Sequence, residues 1–203
     1  MQDQKKVWDN IAEEWDQFKK RQDPQVKEFV EKAKGKFIDL GCGSGRNFAK
    51  TKAEIYSVDF SGNMLKYAKR NAKKLSIKAE FFELDITKQL PFEDNFFDSG
   101  ISVATLHCIN GKKHRENILK EIFRVLKPKA KFMLKVWNRK SSRFKGKEEK
   151  LIKWRDKGER YYYIYEEKEL EEELKKAGFK IVLIVSTKEE NFQLQEISVI
   201  VEK

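Results

Sequence analysis

The sequence predicts an α/β fold: a doubly wound, seven-stranded, mostly parallel sheet with a C-terminal antiparallel hairpin and an N-terminal helical extension. Three observations carry this. Short apolar runs alternate with amphipathic segments from Lys36 to Asn138, the pattern of a parallel sheet covered by helices. The run Lys36–Leu40 is followed by Gly41, Gly43 and Gly45, so a buried strand gives way to a tight turn and a helix-like segment. Two final apolar runs, 180–187 and 192–203, are close enough along the chain to pair as an antiparallel hairpin. At 203 residues the chain suits one well-buried domain, 1–203.

Each element has its own signal. Residues 3–20 place Val7, Trp8, Ile11, Trp15 and Phe18 at helical spacing among charges, and packing onto the main domain is their expected task. Asp23-Pro24 breaks that pattern, and Val26, Phe29 and Val30 open a second helix that stops near Gly35. Strands are expected over 36–40, 55–61 (ending near Asp59), 78–86, 96–109 and 131–138. Between them, 62–75 and 113–126 read as helices, the second ended by Lys127-Pro128. The 96–109 run is the most hydrophobic of the first four, as befits a central parallel strand. Past Asn138 the alternation lapses until a helix over 166–177.

Charge and cysteine content narrow the function. The chain has 44 Lys and Arg against 33 Asp and Glu, a surplus of eleven that favours a polyanionic partner. Residues 139–160 hold ten of the cations and only four acids, interleaved with Phe144 and Trp154, which suits an RNA-backbone surface. Cys42 and Cys108 are the only cysteines, too few for a disulfide framework or a four-cysteine zinc site, and no metal site is expected. No leader-like segment or long apolar run appears, so a soluble, cytoplasmic protein without membrane contact is expected.

The glycine turn points to a nucleotide-containing cofactor. Its spacing is G-x-G-x-G after Asp39; the dinucleotide fingerprint would need a glycine where Arg46 stands. Asp59, at the end of the second strand, suits the two ribose hydroxyls, and Asp85, ending the third, suits the adenine amino group. Phe60 and Ile86 would wall the ring and Met64 would cover it, while Asn47 and Val103 complete the expected set with Asp39, Gly41, Gly43 and Gly45. Ser61 is placed to cap the following helix, which leaves Asp59 for the ligand.

The string D-L-G-C-G-S-G resembles the first motif of the Rossmann-like class I methyltransferases, which implies S-adenosylmethionine as cofactor. The strings VWDNIAEEWD, ATLHCI, EIFRVLKP, KVWN and RYYYIYEEKEL, spanning nearly the whole chain, are similar to those of tRNA methyltransferases that esterify 5-carboxymethyluridine at the wobble position. The same domain occurs at the C-terminal end of an AlkB-homologue. Two positions depart from the family: Cys108 stands where a second histidine is usual, and Lys129-Ala130 where two glycines are usual.

The resemblance implies Arg21, His107 and Arg160 around the acceptor, with Tyr162 as a stacking or hydrogen-bonding neighbour. It also implies a small zinc-binding activator protein, expected at the apolar edge strand 78–84 with Phe81 and Phe82; cover by the N-terminal helix is the alternative there. The chemistry is consistent with the acceptor. A carboxylate is ionised at neutral pH and needs no strong base, only placement in line with the methyl group and one cationic partner. Two other readings stay open: a small-molecule methyltransferase acting on a quinone or lipid precursor, and a non-catalytic cofactor-binding subunit of an RNA-modifying complex.

Overall fold

The computed structural model describes residues 3–18, 21–144, 146–186 and 195–203. Seven strands form one sheet: β1 (Lys36–Leu40), β2 (Glu54–Asp59), β3 (Ala79–Glu83), β4 (Phe97–Val103), β5 (Leu126–Trp137), β8 (Lys180–Ser186) and β9 (Glu196–Glu202). Their order across the sheet is β3-β2-β1-β4-β5-β9-β8. The first five run parallel, while β9 is antiparallel to both neighbours, as the terminal hairpin requires. Residues 187 and 192–194 of the expected hairpin lie outside the described residues, as do Lys19 and Lys20 of the first helix.

The apolar runs become the central strands because both faces of the sheet are covered. Ile38, Leu40, Ile101, Phe132 and Leu134 are all fully buried. The helices α1 (Gln4–Phe18), α2 (Pro24–Glu31), α3 (Gly62–Lys74), α4 (Lys112–Val125) and α5 (Glu167–Lys176) follow the sequence pattern closely. Asp23 caps α2 by accepting from Gln25 and Val26 N–H, with Pro24 in the first turn where its missing N–H costs nothing. Ser61 caps α3 through Met64 N–H, and its hydroxyl donates to Asp9 of α1 at 2.6 Å. Asp16 of α1 holds Arg70 and Asn71 of α3, so the N-terminal extension is tied to α3 at two points.

Five features differ from the sequence reading. The glycine turn leads into further turns and no helix before β2, and β5 begins at Leu126, five residues ahead of the expected 131, directly where α4 ends. β3 stops at Glu83, and Asp85 falls in the turn beyond it, where its carboxylate accepts from Thr87 N–H. β4 stops at Val103, because Ala104 takes φ +58 and the chain then makes a single 3-10 turn over Leu106–Cys108. The 139–160 stretch contains an antiparallel ribbon, β6 (Glu149–Lys153) and β7 (Glu159–Tyr163), that forms a sheet of its own.

β3 is an edge strand, as expected. Its two phenylalanines serve the domain's own layers: Phe82 stacks on Tyr56 and Phe81 meets the edge of Phe48. From α1, Lys5 reaches only the last residue of this strand, pairing with Glu83 at 2.8 Å. No helix among the described residues is long and apolar enough to cross a membrane.

Candidate functional site

A cleft of about 560 Å³ opens above the C-terminal ends of β1, β2 and β4. The strand order reverses between β1 and β4, and open α/β sheets bind ligands at such a point. The glycine turn makes the floor, with φ of +75° at Gly41, +54° at Gly43 and +81° at Gly45. A side chain at Gly41 would overlap Thr105, and one at Gly45 would overlap Phe48, so those two glycines let neighbouring elements approach. Gly43 differs. A Cβ there would meet only Trp15 Nε1 at 3.9 Å and would project into the cleft, so this glycine leaves room for a ligand.

Asp59 anchors the floor. Its Oδ2 accepts Gly43 N–H at 2.8 Å and its Oδ1 accepts Ser61 N–H at 2.9 Å, so the carboxylate holds the turn while keeping lone pairs for a ligand. Burial pushes its pKa up to about 6, against the pull of those N–H groups. Asp39 sits behind the turn, only 2 % exposed, and burial followed by the nearby Asp59 charge raises it to about 7. Its Oδ1 and the Asn47 Oδ1 are buried acceptors without a partner among the described residues, and Asn47, which lines the cleft, presents the one that a ligand amine would satisfy. Together with the open space over Gly43 and the carboxylate at the end of β2, this donor and acceptor set fits S-adenosylmethionine.

Of the residues expected to bind cofactor, Gly41, Gly43, Asn47, Asp59, Phe60, Met64, Asp85, Ile86 and Val103 line the cleft. Asp39 and Gly45 do not; they support it from behind. The sequence reading missed the roof. Trp8 and Trp15 of α1 line the cleft, as does Arg46 at the end of the glycine turn. The available signal was the spacing of the two tryptophans, seven residues apart on one face of α1; both are half-buried, packed on Ile11, Ala12 and Met64 with the rest of each ring toward the cleft.

The expected acceptor residues form a buried cluster one layer behind the cleft wall, with the exception of Arg21. Arg21 lies exposed between α1 and α2, away from the cleft wall. Arg160 and Tyr162, on β7, are 5 % and 1 % exposed, and Arg160 Nη1 donates to Tyr162 Oη at 2.7 Å. The Arg160 guanidinium lies 4.8 Å from the ring centre of Trp154, 5.4 Å from those of Trp15 and Tyr162, and 5.7 Å from that of Trp8. It pairs with no carboxylate among the described residues, and its Nε has no acceptor. A buried cation without an anion is costly, and two of the rings this one faces, Trp8 and Trp15, line the cleft.

His107 is 1 % exposed beneath Trp137 and Tyr162, with ring centres at 4.8 and 5.5 Å. The Trp137 backbone N–H points at its Nδ1 from 3.0 Å. A backbone N–H can only donate, so Nδ1 accepts and the proton of the neutral ring sits on Nε2. Burial lowers its pKa to about 3, so the ring is neutral throughout the physiological range. Cys108, on the cleft wall, is held as a thiol by burial, its pKa pushed up to about 12. The acceptor side therefore offers a cation and fixed donors, and neither a base nor a nucleophile.

Comparison with known proteins places this geometry. Residues 38–134 match a family described as Methyltransferase domain. A protein of Encephalitozoon cuniculi named as a methyltransferase is 33 % identical over 155 residues, 71 % of this chain and 70 % of that protein. A Mus musculus protein named "Probable tRNA methyltransferase 9B" is 28 % identical over 154 residues, and an Arabidopsis thaliana tRNA (carboxymethyluridine(34)-5-O)-methyltransferase is 24 % identical over 135. These cover 73 % and 65 % of this chain, which spans about a third (32 %) of the length of each. Among solved structures, a SAM-dependent methyltransferase of Methanosarcina mazei has the same fold, with a TM-score of 0.73 at 22 % identity over 90 % of this chain and 98 % of that one.

Proposed function

The chain belongs to the class I S-adenosylmethionine-dependent methyltransferases, and we propose that it esterifies the carboxylate of 5-carboxymethyluridine at the wobble position of tRNA, giving 5-methoxycarbonylmethyluridine. The observation that carries the acceptor is Arg160: a buried guanidinium beside the methyl-transfer cleft that pairs with no carboxylate among the described residues. A carboxylate acceptor supplies the missing anion. The tRNA methyltransferase relatives support the same reading, with the whole of each relative being longer than this chain.

S-adenosylmethionine, when bound, supplies a methyl group on a sulfonium, whose C–S bond breaks as the carboxylate's new C–O bond forms, leaving a neutral thioether. Asp59 holds the ribose end of the cleft through the lone pairs that Gly43 and Ser61 leave free. Arg160 fixes one acceptor oxygen and leaves the other to react, and Tyr162, which accepts from Arg160, keeps its own hydroxyl proton to donate. Trp8 and Trp15 exclude water from above; admitting the acceptor to Arg160 requires one of these rings to swing aside. His107 moves no proton: its tautomer is set by Trp137, and Nε2–H is a donor only. With an acceptor already ionised, most of the barrier reduction comes from placement and exclusion of water.

The test is incubation with tritium-labelled donor and either bulk tRNA or a small-molecule extract containing quinones and lipid precursors. Label in tRNA is expected. Label only in the extract would overturn the proposal in favour of a small-molecule acceptor.

A further inference from the structure

Five of the ten cations of 139–160 are paired or buried within the chain. Arg139 pairs with Glu166 and Glu169, Lys153 reaches Glu159, and Arg160 is buried. Glu14 of α1 collects Lys157 at 2.8 Å, Arg155 at 3.2 Å and the Trp154 indole N–H at 2.6 Å, which fastens the turn of the β6–β7 ribbon to α1. A second group of cations, with no acid among them, lies on α3.

We propose that the outer face of α3, centred on Lys66, Lys69 and Lys73, docks the phosphate backbone of the RNA substrate, an inference that rests on the tRNA reading above. α3 carries five cations, these three with Arg70 and Lys74, and no acid in its 13 residues. All five are exposed. Lys66, Lys69 and Lys73 repeat at steps of three and four, so they share one face and span about 10 Å along the axis. Other helices offset such charges with Lys–Glu pairs one turn apart, Lys27–Glu31 in α2 and Lys175–Glu171 in α5. α3 has none. Among the described residues its one ion pair is Arg70 with Asp16 of α1, and like charges one turn apart repel until an anion arrives.

Position joins this face to the cleft. α3 begins at Ser61 directly after Asp59 and Phe60, its Met64 lines the cleft, and Asn71 donates to the Ser44 carbonyl of the glycine turn at 2.8 Å. Two residues beyond Asp16, Phe18 packs edge-on against Trp154 with ring centres 5.7 Å apart, which ties this end of α1 to the ribbon beside the roof. The partner is RNA rather than an anionic membrane because every apolar residue of α3, Met64, Leu65, Ala68 and Ala72, is buried, except for the half-buried Tyr67, which leaves nothing on the outer face to insert among lipids.

The experiment measures tRNA affinity from about 50 to 200 mM salt for the parent and for a Lys66→Gln, Lys69→Gln, Lys73→Gln variant, with S-adenosylhomocysteine affinity as the check of folding. The slope of log affinity against log salt should flatten by about 2, at roughly 0.7 per phosphate contact, with S-adenosylhomocysteine binding unchanged. A Lys140→Gln, Lys147→Gln, Lys150→Gln variant should change the slope less. A steep parent slope that the α3 variant leaves intact, or a larger effect from the second variant, would overturn the α3 surface and leave the tRNA reading standing. A parent without salt-sensitive tRNA binding would overturn both. Loss of binding to phosphatidylserine vesicles by the α3 variant, with tRNA affinity unchanged, would overturn the RNA partner in favour of a membrane.

Discussion

Replacing Arg160 with glutamine separates what this residue does for folding from what it does for catalysis. Its burial without an anion carries a desolvation penalty of several kcal/mol. Against that stand the charge-assisted bond to Tyr162, about 1.5–3 kcal/mol, and four aromatic faces at about 0.5–1 kcal/mol each. The terms nearly cancel, so Arg160→Gln should change stability by no more than about 1–2 kcal/mol, a few degrees in melting temperature. Transfer should respond quite differently. Losing the cation that meets the acceptor carboxylate costs about 2–5 kcal/mol, a fall of roughly 30- to several-thousand-fold in kcat/KM. Arg160→Lys keeps the charge without the two-pronged geometry and should fall in between. The assays are thermal melting, calorimetry with S-adenosylhomocysteine, and steady-state transfer to a carboxymethyluridine-containing anticodon stem-loop. A folded, cofactor-binding Arg160→Gln protein with kcat/KM within threefold of the parent would refute the reasoning.

Other consequences follow from the same geometry. Because burial raises Asp59 to about 6, its carboxylate is charged above that pH and fills with a proton as pH falls through it; S-adenosylhomocysteine affinity should drop by up to about tenfold per pH unit between 6 and 5, and Asp59→Asn should abolish the trend. His107 acts on stability instead: neutral inside and protonated from about 6.5 downward when unfolded, it makes the protein lose stability as pH falls from 6.5 toward 3, and His107→Gln should flatten that acid limb in pH-dependent melts. The transfer rate should show no inflection attributable to His107 between pH 6 and 8. Gly43→Ala should fold with a cost of about 1 kcal/mol from its φ of +54° yet lose cofactor affinity, whereas Gly41→Ala, which drives a methyl into Thr105, should lower the melting temperature far more. Glu14→Gln should release Arg155 and Lys157 and raise KM for the RNA substrate while leaving S-adenosylhomocysteine affinity in place.

The sequence made the donor half legible because that half is built from consecutive residues. A buried run, three glycines and a carboxylate at the next strand end are local signals, and Gly41, Gly43 and Asp59 sit where the spacing puts them. The proposed acceptor half is assembled from segments about 140 residues apart, α1 and the β6–β7 ribbon, which meet through Glu14 and the Trp8, Trp15 and Trp154 rings around Arg160. No spacing rule reports that meeting. The ribbon itself was hidden because Glu149–Lys153 reads as a charge-rich stretch, and only pairing with Arg160–Tyr163 turns Ile152 toward Phe144 and Tyr162. Charge counting has a related limit: it marks the basic stretch 139–160 without showing that Glu14, Glu166 and Glu169 fold back onto Arg139, Arg155 and Lys157. Ala104 marks another limit. Its φ of +58 ends β4 early, and nothing in the apolar run 96–109 announces a left-handed residue there.

Nucleoside mass spectrometry of treated tRNA shows whether the methyl group ends on a carboxylate. tRNA bearing 5-carboxymethyluridine, incubated with the protein and S-adenosylmethionine, should yield a nucleoside heavier by one methylene unit that mild alkali returns to the starting acid. Label that survives alkali, on a base or ribose, or a carboxymethyluridine pool that stays unchanged while other molecules are methylated, would contradict the proposed esterification.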